Sequence, residues 1–140
     1  MDTYELSRFL TVQNFCSQYE MALKEIRLGR KRGHWMWFVF PQLKGLGHSS
    51  NADFYGISGA DEALAYWQHP VLGERLREIT NALLLLEGRS ARQIFGDIDA
   101  LKLRSSMTLF GEVTGEELFR KVLDKYYDGE SCDRTMGMLR

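Results

Sequence analysis

The run Trp35-Met36-Trp37-Phe38-Val39-Phe40, WMWFVF, is apolar at all six positions, and its reading decides the fold. As a strand it would demand a sheet; as a helical turn it demands nothing that the rest of the chain does not offer. Periodicity alone does not separate the two for so short a buried run. A lone strand, however, leaves its backbone N–H and C=O groups without partners unless a loop or a second chain supplies them. The helical reading is therefore preferred.

Working outward, the residues on either side support helices. Phe9, Val12, Cys16, Tyr19, Leu23 and Ile26 recur at steps of three and four, one face of a helix, with Asn14 marking a division into two. Gly29 stands where a C-terminal cap belongs. After Pro41 the segment QLKGLGHSSNAD is a loop. Ser58 with Asp61 predicts a capping box opening a helix to about Gln68, and Pro70 is expected at the first position of the next. Leu72, Leu76, Ile79, Leu83 and Leu86 share a face of that helix, which Gly88 ends. Ser90 and Asp97 are the expected caps of two further helices, and Thr114 with Glu117 gives another capping box. A short helix is expected from Asp133. With no repeats, linker or alternating strand pattern, the expectation is a compact all-α single domain over residues 1–140, a bundle of about six to eight short helices.

Composition narrows the functional classes. A chain of 140 residues that is 44% apolar is long enough to bury a core without metal or disulfide. Its 18 Lys and Arg against 19 Asp and Glu make a general nucleic-acid binder a poor reading, because such domains are usually strongly basic. Cys16 and Cys132 give no disulfide framework, the opening MDTYELSRFL does not read as a secretory signal, and no apolar run is long enough for a membrane. The protein reads as cytoplasmic.

Charge is nonetheless concentrated. From Lys24 to His34 lie Lys24, Arg27, Arg30, Lys31 and Arg32 against Glu25 alone, five cations less one acid, about +4. Cations at a helix C-terminus need no further function, since they complement its dipole. Two tryptophans directly beyond them are harder to explain as filling, because each buried indole N–H needs a partner. Guanidinium groups beside an aromatic face suit an anion that carries a flat group. Arg30, Arg32, Trp35, Trp37 and Gln42 are accordingly candidate ligand contacts, and His34 is the candidate proton-transfer residue.

Two other sets qualify. In LKLRSSMTLF, Lys102 and Ser106 share one helix face while Ser105 and Thr108 share the next, so Lys102, Arg104 and Ser105 are candidates for anion binding. The plainer role of these hydroxyls is to let helices approach closely. A Lys102–Ser106 pair would activate the hydroxyl only if the two were buried together. Tyr55 either lines a pocket mouth or pins its loop to the core. No metal-ligand spacing, phosphate-binding loop or nucleophile elbow is present, so neither metal nor cofactor is expected.

The segments GRKRGHWMWFVFPQLKGLG, AYWQHPVLGERLRE, LEGRSARQIFG and LKLRSSMTLF together resemble the DUF1810 family, small bacterial and fungal proteins of unknown function. The resemblance covers nearly the whole chain and implies a helical single domain. It implies no catalytic residue. Gly33 departs from the serine expected in the family's pattern. A weaker likeness, to the NADAR family through HPVLGERL and element order, implies a ribosyl ligand class. The expected function is binding, with hydrolysis of a glycosidic or phosphoester bond as the reaction if there is one, of a small anionic nucleotide-like or ribosyl-phosphate ligand. The alternative is a noncatalytic module that docks an acidic partner through the same basic–aromatic stretch. Single-stranded RNA binding is a third, less favoured reading.

Overall fold

The computed structural model describes residues 2–140. Helix α1 (Ser7–Asn14) and helix α2 (Gln18–Leu28) are separated by a 3₁₀ turn at Phe15–Ser17, the division expected at Asn14. The turn is sharp because Cys16 and Ser17 both adopt left-handed conformations, φ 53° and 56°. α2 ends at Gly29 in a Schellman closure. Gly29 N–H donates to the Ile26 carbonyl at 2.9 Å and Arg30 N–H to the Glu25 carbonyl at 3.0 Å, with φ 82° at the glycine.

WMWFVF then turns as α3 (Met36–Val39), a single helical turn in which Val39 N–H reaches the Trp35 carbonyl at 3.1 Å. Among the described residues there is no strand. The nearest approach to one is an isolated parallel bridge, Leu43 to Ile57, that ties the loop after Pro41 to the end of α4 (Ser50–Tyr55). The chain continues through α5 (Ala60–Gln68), α6 (Leu72–Leu85), α7 (Ala91–Thr114), α8 (Glu117–Tyr127) and α9 (Asp133–Leu139). The all-α expectation holds, with α3 and α4 as minor turns beside the longer helices.

α7 is the spine. α3, α5, α8 and α9 pack on it, while α6 packs on α2, α5 and α8. One continuous core joins them, with Phe9, Phe40, Tyr66, Leu103, Phe110 and Phe119 at its centre, all 1% exposed or less. Gly96, at φ 80° and ψ 170°, is non-helical and breaks α7 into two helical arms, the division expected between the helices opening at Ser90 and Asp97. Ser90 caps it as expected, in a full capping box with Gln93. Asp97 instead pairs on the surface with Arg92 at 2.7 Å.

Several expected boundaries are corrected. Ser58 does not cap α5: Gly59 takes that place, and the carboxylate near it belongs to Glu62, which accepts from Ser58 N–H at 2.9 Å. Glu62 is drawn inward by Arg8 from α1 at 2.7 Å. The same guanidinium reaches the carbonyls of Tyr4, Phe54 and Gly56. The regular span of α6 starts at Leu72, but its first turn is opened by His69, whose carbonyl accepts from Gly73 N–H at 2.9 Å and whose Nδ1 accepts from the N–H groups of Val71 and Leu72 at 3.1 and 3.2 Å, leaving Pro70 directly after the cap as expected. α6 ends at Leu85, before Gly88. Its last carbonyls are taken by Lys125, which donates to Leu83, Leu84 and Leu86, and by the Tyr126 hydroxyl. Thr114 closes α7 rather than opening α8, donating to the Phe110 carbonyl at 2.6 Å.

α5 and α6 meet at closest approach over Gly73, where a Cβ would lie 1.9 Å from the Trp67 carbonyl oxygen. Because that atom is backbone, no side-chain rotation relieves the clash. Gly73→Ala is therefore expected to destabilise the protein by about 2 kcal/mol or more despite alanine's better helix propensity. A urea melt reads the loss; a midpoint equal to or above that of the parent contradicts the close approach.

Candidate functional site

The basic–aromatic stretch is organised around one buried acid. Glu25, on the inner side of α2, is 9% exposed. Its Oε1 accepts from Arg32 N–H at 2.7 Å, Gly33 N–H at 3.0 Å and the Trp35 indole N–H at 2.8 Å. This supplies the partner that a buried indole requires, and Trp35 is core, 2% exposed, against Phe40 and Phe95. Burial pushes the Glu25 carboxyl up. The N–H groups of Gly33 and Arg32, the indole and the charge of Lys31 outweigh it and hold the group below the usual carboxylate range.

The turn divides the three consecutive cations by direction. Lys31 N–H bonds the Ile94 carbonyl at 2.8 Å, and its ammonium turns inward to Asp99 at 2.8 Å and over the Trp35 ring at 5.1 Å. Arg30, Arg32 and His34 are exposed, and among the described residues their side chains make neither hydrogen bond nor ion pair. The structure therefore separates Arg30, Arg32 and His34 from the tryptophans they adjoin in sequence. Gly33 sits close under Trp35: a Cβ there would lie 2.9 Å from the indole Cδ1.

The second candidate set comes together elsewhere. Asp99 is shared by Lys31 and by Lys102, at 3.3 Å, and the Lys102 ammonium lies 4.6 Å from the centre of the Trp37 ring. Beyond Lys102 opens a cleft of about 510 Å³ between α7, the loop after Pro41 and the start of α9. Gln42, Lys102, Arg104 and Ser105 line it, four of the residues singled out from sequence. Trp37 lies behind Lys102 and does not line it. Tyr55 is held away by Phe9, Phe38 and Phe54, with ring centres 4.8–5.9 Å apart. The Lys102–Ser106 pairing does not form, because Ser106 is wholly buried and its hydroxyl has no hydrogen-bond partner.

Cys132, Asp133 and Arg134 complete the cleft and were not singled out from sequence. Arg104 brings them in. Its Nε and Nη2 donate to the carbonyls of Glu130 and Ser131 at 3.1 and 2.6 Å, which folds the segment before α9 back onto α7. The helix start at Asp133 was legible, so a thiol and a cation on either side of it were the available signal. Ile98 and Leu101, 72% and 62% exposed, add an apolar wall. Three cations against Asp133 distinguish this cleft from others of similar size. One of about 490 Å³ sets Arg27 against Glu78 and Glu87, and one of about 470 Å³ sets Arg140 against Asp61 and Glu112. Among the described residues, no three His, Cys, Asp or Glu side chains converge as metal ligands, and no helix is long and apolar enough to cross a membrane.

The chain belongs to the DUF1810 family, described as a protein of unknown function, whose model matches residues 3–139. It is similar to the conserved hypothetical protein Rv1873 from Mycobacterium tuberculosis, a crystal structure. The two share 50% identity over 99% of this chain and 98% of that one, with a TM-score of 0.95. No curated protein matches the chain.

Glu25 yields a pH prediction. Its folded pKa is depressed, so its stabilising contribution is complete above the ordinary value of 4.5 and is lost as pH falls through the lower folded value. Glu25→Gln keeps an oxygen for the three donors and is expected to cost about 1 kcal/mol while reducing this acid sensitivity; Glu25→Ala strands the donors and is expected to cost about 3 kcal/mol. Denaturant melts followed by tryptophan fluorescence between pH 3 and 7 measure both. Equal losses for the two variants, or an unchanged acid limb in Glu25→Gln, contradict this assignment.

Proposed function

We propose that this protein binds a small anionic ligand, nucleotide-like or ribosyl-phosphate in class, in the cleft between α7 and α9. The observation that carries the reading is convergence: Lys102, Arg104 and Arg134 line one hollow with the buried polar groups of Gln42 and Ser105. At about 510 Å³ the cleft falls within the usual small-molecule range of roughly 300–1,000 Å³. Arg134 is exposed, and Lys102 shares its charge only with Asp99 and the Trp37 face, so both are available to phosphate or carboxylate. Arg104 is largely spent on the two carbonyls and acts more as the wall's fastening than as a clamp. The apolar side chains of Ile98, Leu101 and Leu46 offer a surface to a flat or apolar portion. His34 takes no part in this reading.

A second reading rests on a separate observation. Arg30, Arg32 and His34 face solvent together, as a surface that docks an acidic partner would require. Thermal shift against nucleotides, ADP-ribose and inorganic phosphate separates the two. A ligand at one hundred times its Kd is expected to add about 2.7 kcal/mol, a shift of several degrees. Lys102→Ala and Arg134→Ala should each abolish most of it, and Arg30→Ala/Arg32→Ala should leave it intact. If no member of the panel shifts the parent, or the shift survives loss of Lys102 and Arg134 but not of Arg30 and Arg32, the cleft reading is wrong.

A further inference from the structure

Among the described residues two glutamines are buried, and the fold treats them oppositely. Gln13, 1% exposed, spends its whole amide. The nitrogen donates to the Phe38 carbonyl at 2.7 Å and to the Tyr66 hydroxyl at 3.2 Å, and the oxygen accepts from Arg75 at 3.1 Å. Gln42, 9% exposed, lines the cleft, and among the described residues its amide makes no hydrogen bond. An amide carries two donors and two lone pairs, and leaving them all unpaired in a buried residue is costly. The hydroxyls of Thr80, Ser106 and Thr135 are also unpaired, but they are sealed in the core, whereas the Gln42 amide keeps an opening, and the opening is the cleft. Its place is fixed. The Gln42 carbonyl accepts from Ile57 N–H at 2.9 Å and Lys44 N–H donates to the Ile57 carbonyl at 2.8 Å, which pins the backbone just after Pro41. Gly47, also in the lining, leaves one flank of the amide bare, since a Cβ there would lie 3.7 Å from Nε2. Ser105, the other buried polar side chain of the lining, engages its hydroxyl hydrogen with the Leu101 carbonyl at 3.1 Å and is left as an acceptor. Of the two, Gln42 alone offers a donor beside an acceptor.

We propose that Gln42 reads the neutral end of the ligand, and that this ligand carries, beside its phosphate or carboxylate, a planar edge with an acceptor next to a donor, as a carboxamide or an aminopurine presents. The anionic half of this inference rests on the reading of the cleft given above; the edge rests on the Gln42 amide. A glutamine matches such an edge with two parallel hydrogen bonds, Nε2 donating to the acceptor and Oε1 accepting from the donor. Lys102, Arg104 and Arg134 only donate and an ionised Asp133 only accepts, so the paired match falls to Gln42. Leu46, Ile98 and Leu101 line the same hollow and give the plane of the group an apolar surface to lie against. A ligand without the edge leaves the amide unpaired, and selectivity arises from that cost.

Titration calorimetry on the intact chain tests this with two pairs of probes that differ at the edge. AMP against purine riboside monophosphate, which lacks the exocyclic amine, tests the aminopurine. Nicotinamide mononucleotide against nicotinic acid mononucleotide tests the carboxamide. In one of the pairs the member with the complete edge should bind about tenfold tighter. Gln42→Met, which keeps the volume without the polar atoms, should abolish that difference and leave the affinity for inorganic phosphate unchanged. Lys102→Ala should weaken both members of the pair alike. The comparison on the parent protein needs no substitution, so it decides even where Gln42→Met fails to fold. Discrimination within about twofold in both pairs, or discrimination that survives Gln42→Met, overturns the edge, and the anion reading stands so long as Lys102→Ala still weakens binding. Adenosine or nicotinamide riboside that binds in a manner sensitive to Gln42→Met but not to Lys102→Ala upholds the edge and overturns the anion. Binding by neither pair overturns both.

Discussion

One oxygen atom organises the first third of the chain. Glu25 Oε1 collects the N–H groups of Arg32, Gly33 and the Trp35 indole, so the segment leaving α2 wraps around a carboxylate rather than running into solvent. That wrapping seats Trp35 against Phe40 and Phe95, aims α3 into the core and leaves the loop after Pro41 along α7. A charge so buried would be a liability without its donors. With them it sets the direction of each residue from Arg30 to Trp35, which hydrophobic burial alone does not do.

The helices were legible because their signals are local. The Gly29 cap, the Ser90 cap and the stripe from Phe9 to Ile26 each depend on residues within a turn or two, and the structure keeps both caps and the buried stripe at Phe9, Tyr19, Leu23 and Ile26, while Cys16 leaves it for the exposed turn between α1 and α2. The boundaries that moved did so where a distant group took over a local role. Arg8 holds Glu62 from across the fold, and Lys125 donates to the carbonyls at the end of α6. His69 caps α6 with a ring nitrogen, which the usual capping patterns do not anticipate. Such substitutions are tertiary and leave no periodic trace. WMWFVF turns as a helix because a lone strand there would leave its backbone groups without partners, whereas the turn satisfies them within itself, Val39 N–H on the Trp35 carbonyl and Phe40 N–H on that of Met36.

The candidate site was half legible for a related reason. Lys102, Arg104 and Ser105 share the arm of α7 beyond Gly96, so their proximity follows from spacing along it. Arg30 and Arg32 neighbour Trp35 in sequence, but a Schellman turn sends alternate residues to opposite sides. The inward cation is Lys31, the one of the three not singled out. Cys132 and Arg134 reach the cleft through closure of the segment before α9 by Arg104, a contact between residues more than two dozen positions apart. Glycine at position 33 acquires a meaning that sequence could not supply. A side chain there would meet the Trp35 indole, so residue 33 and the tilt of that ring are one choice rather than two.

Asp99 ties the two halves of this account together. It lies between the ammonium groups of Lys31 and Lys102, at 2.8 and 3.3 Å, while Lys31 also acts on the Glu25 carboxylate. The two ammonium groups and the carboxylates of Glu25 and Asp99 thus form one chain of alternating charge running from the Trp35 indole to the lip of the cleft. On the proposed reading, an anion at Lys102 would compete with Asp99, whose other ammonium partner is Lys31. The pair behaves as an electrostatic balance whose far pan is the residue that closes the basic stretch onto α7.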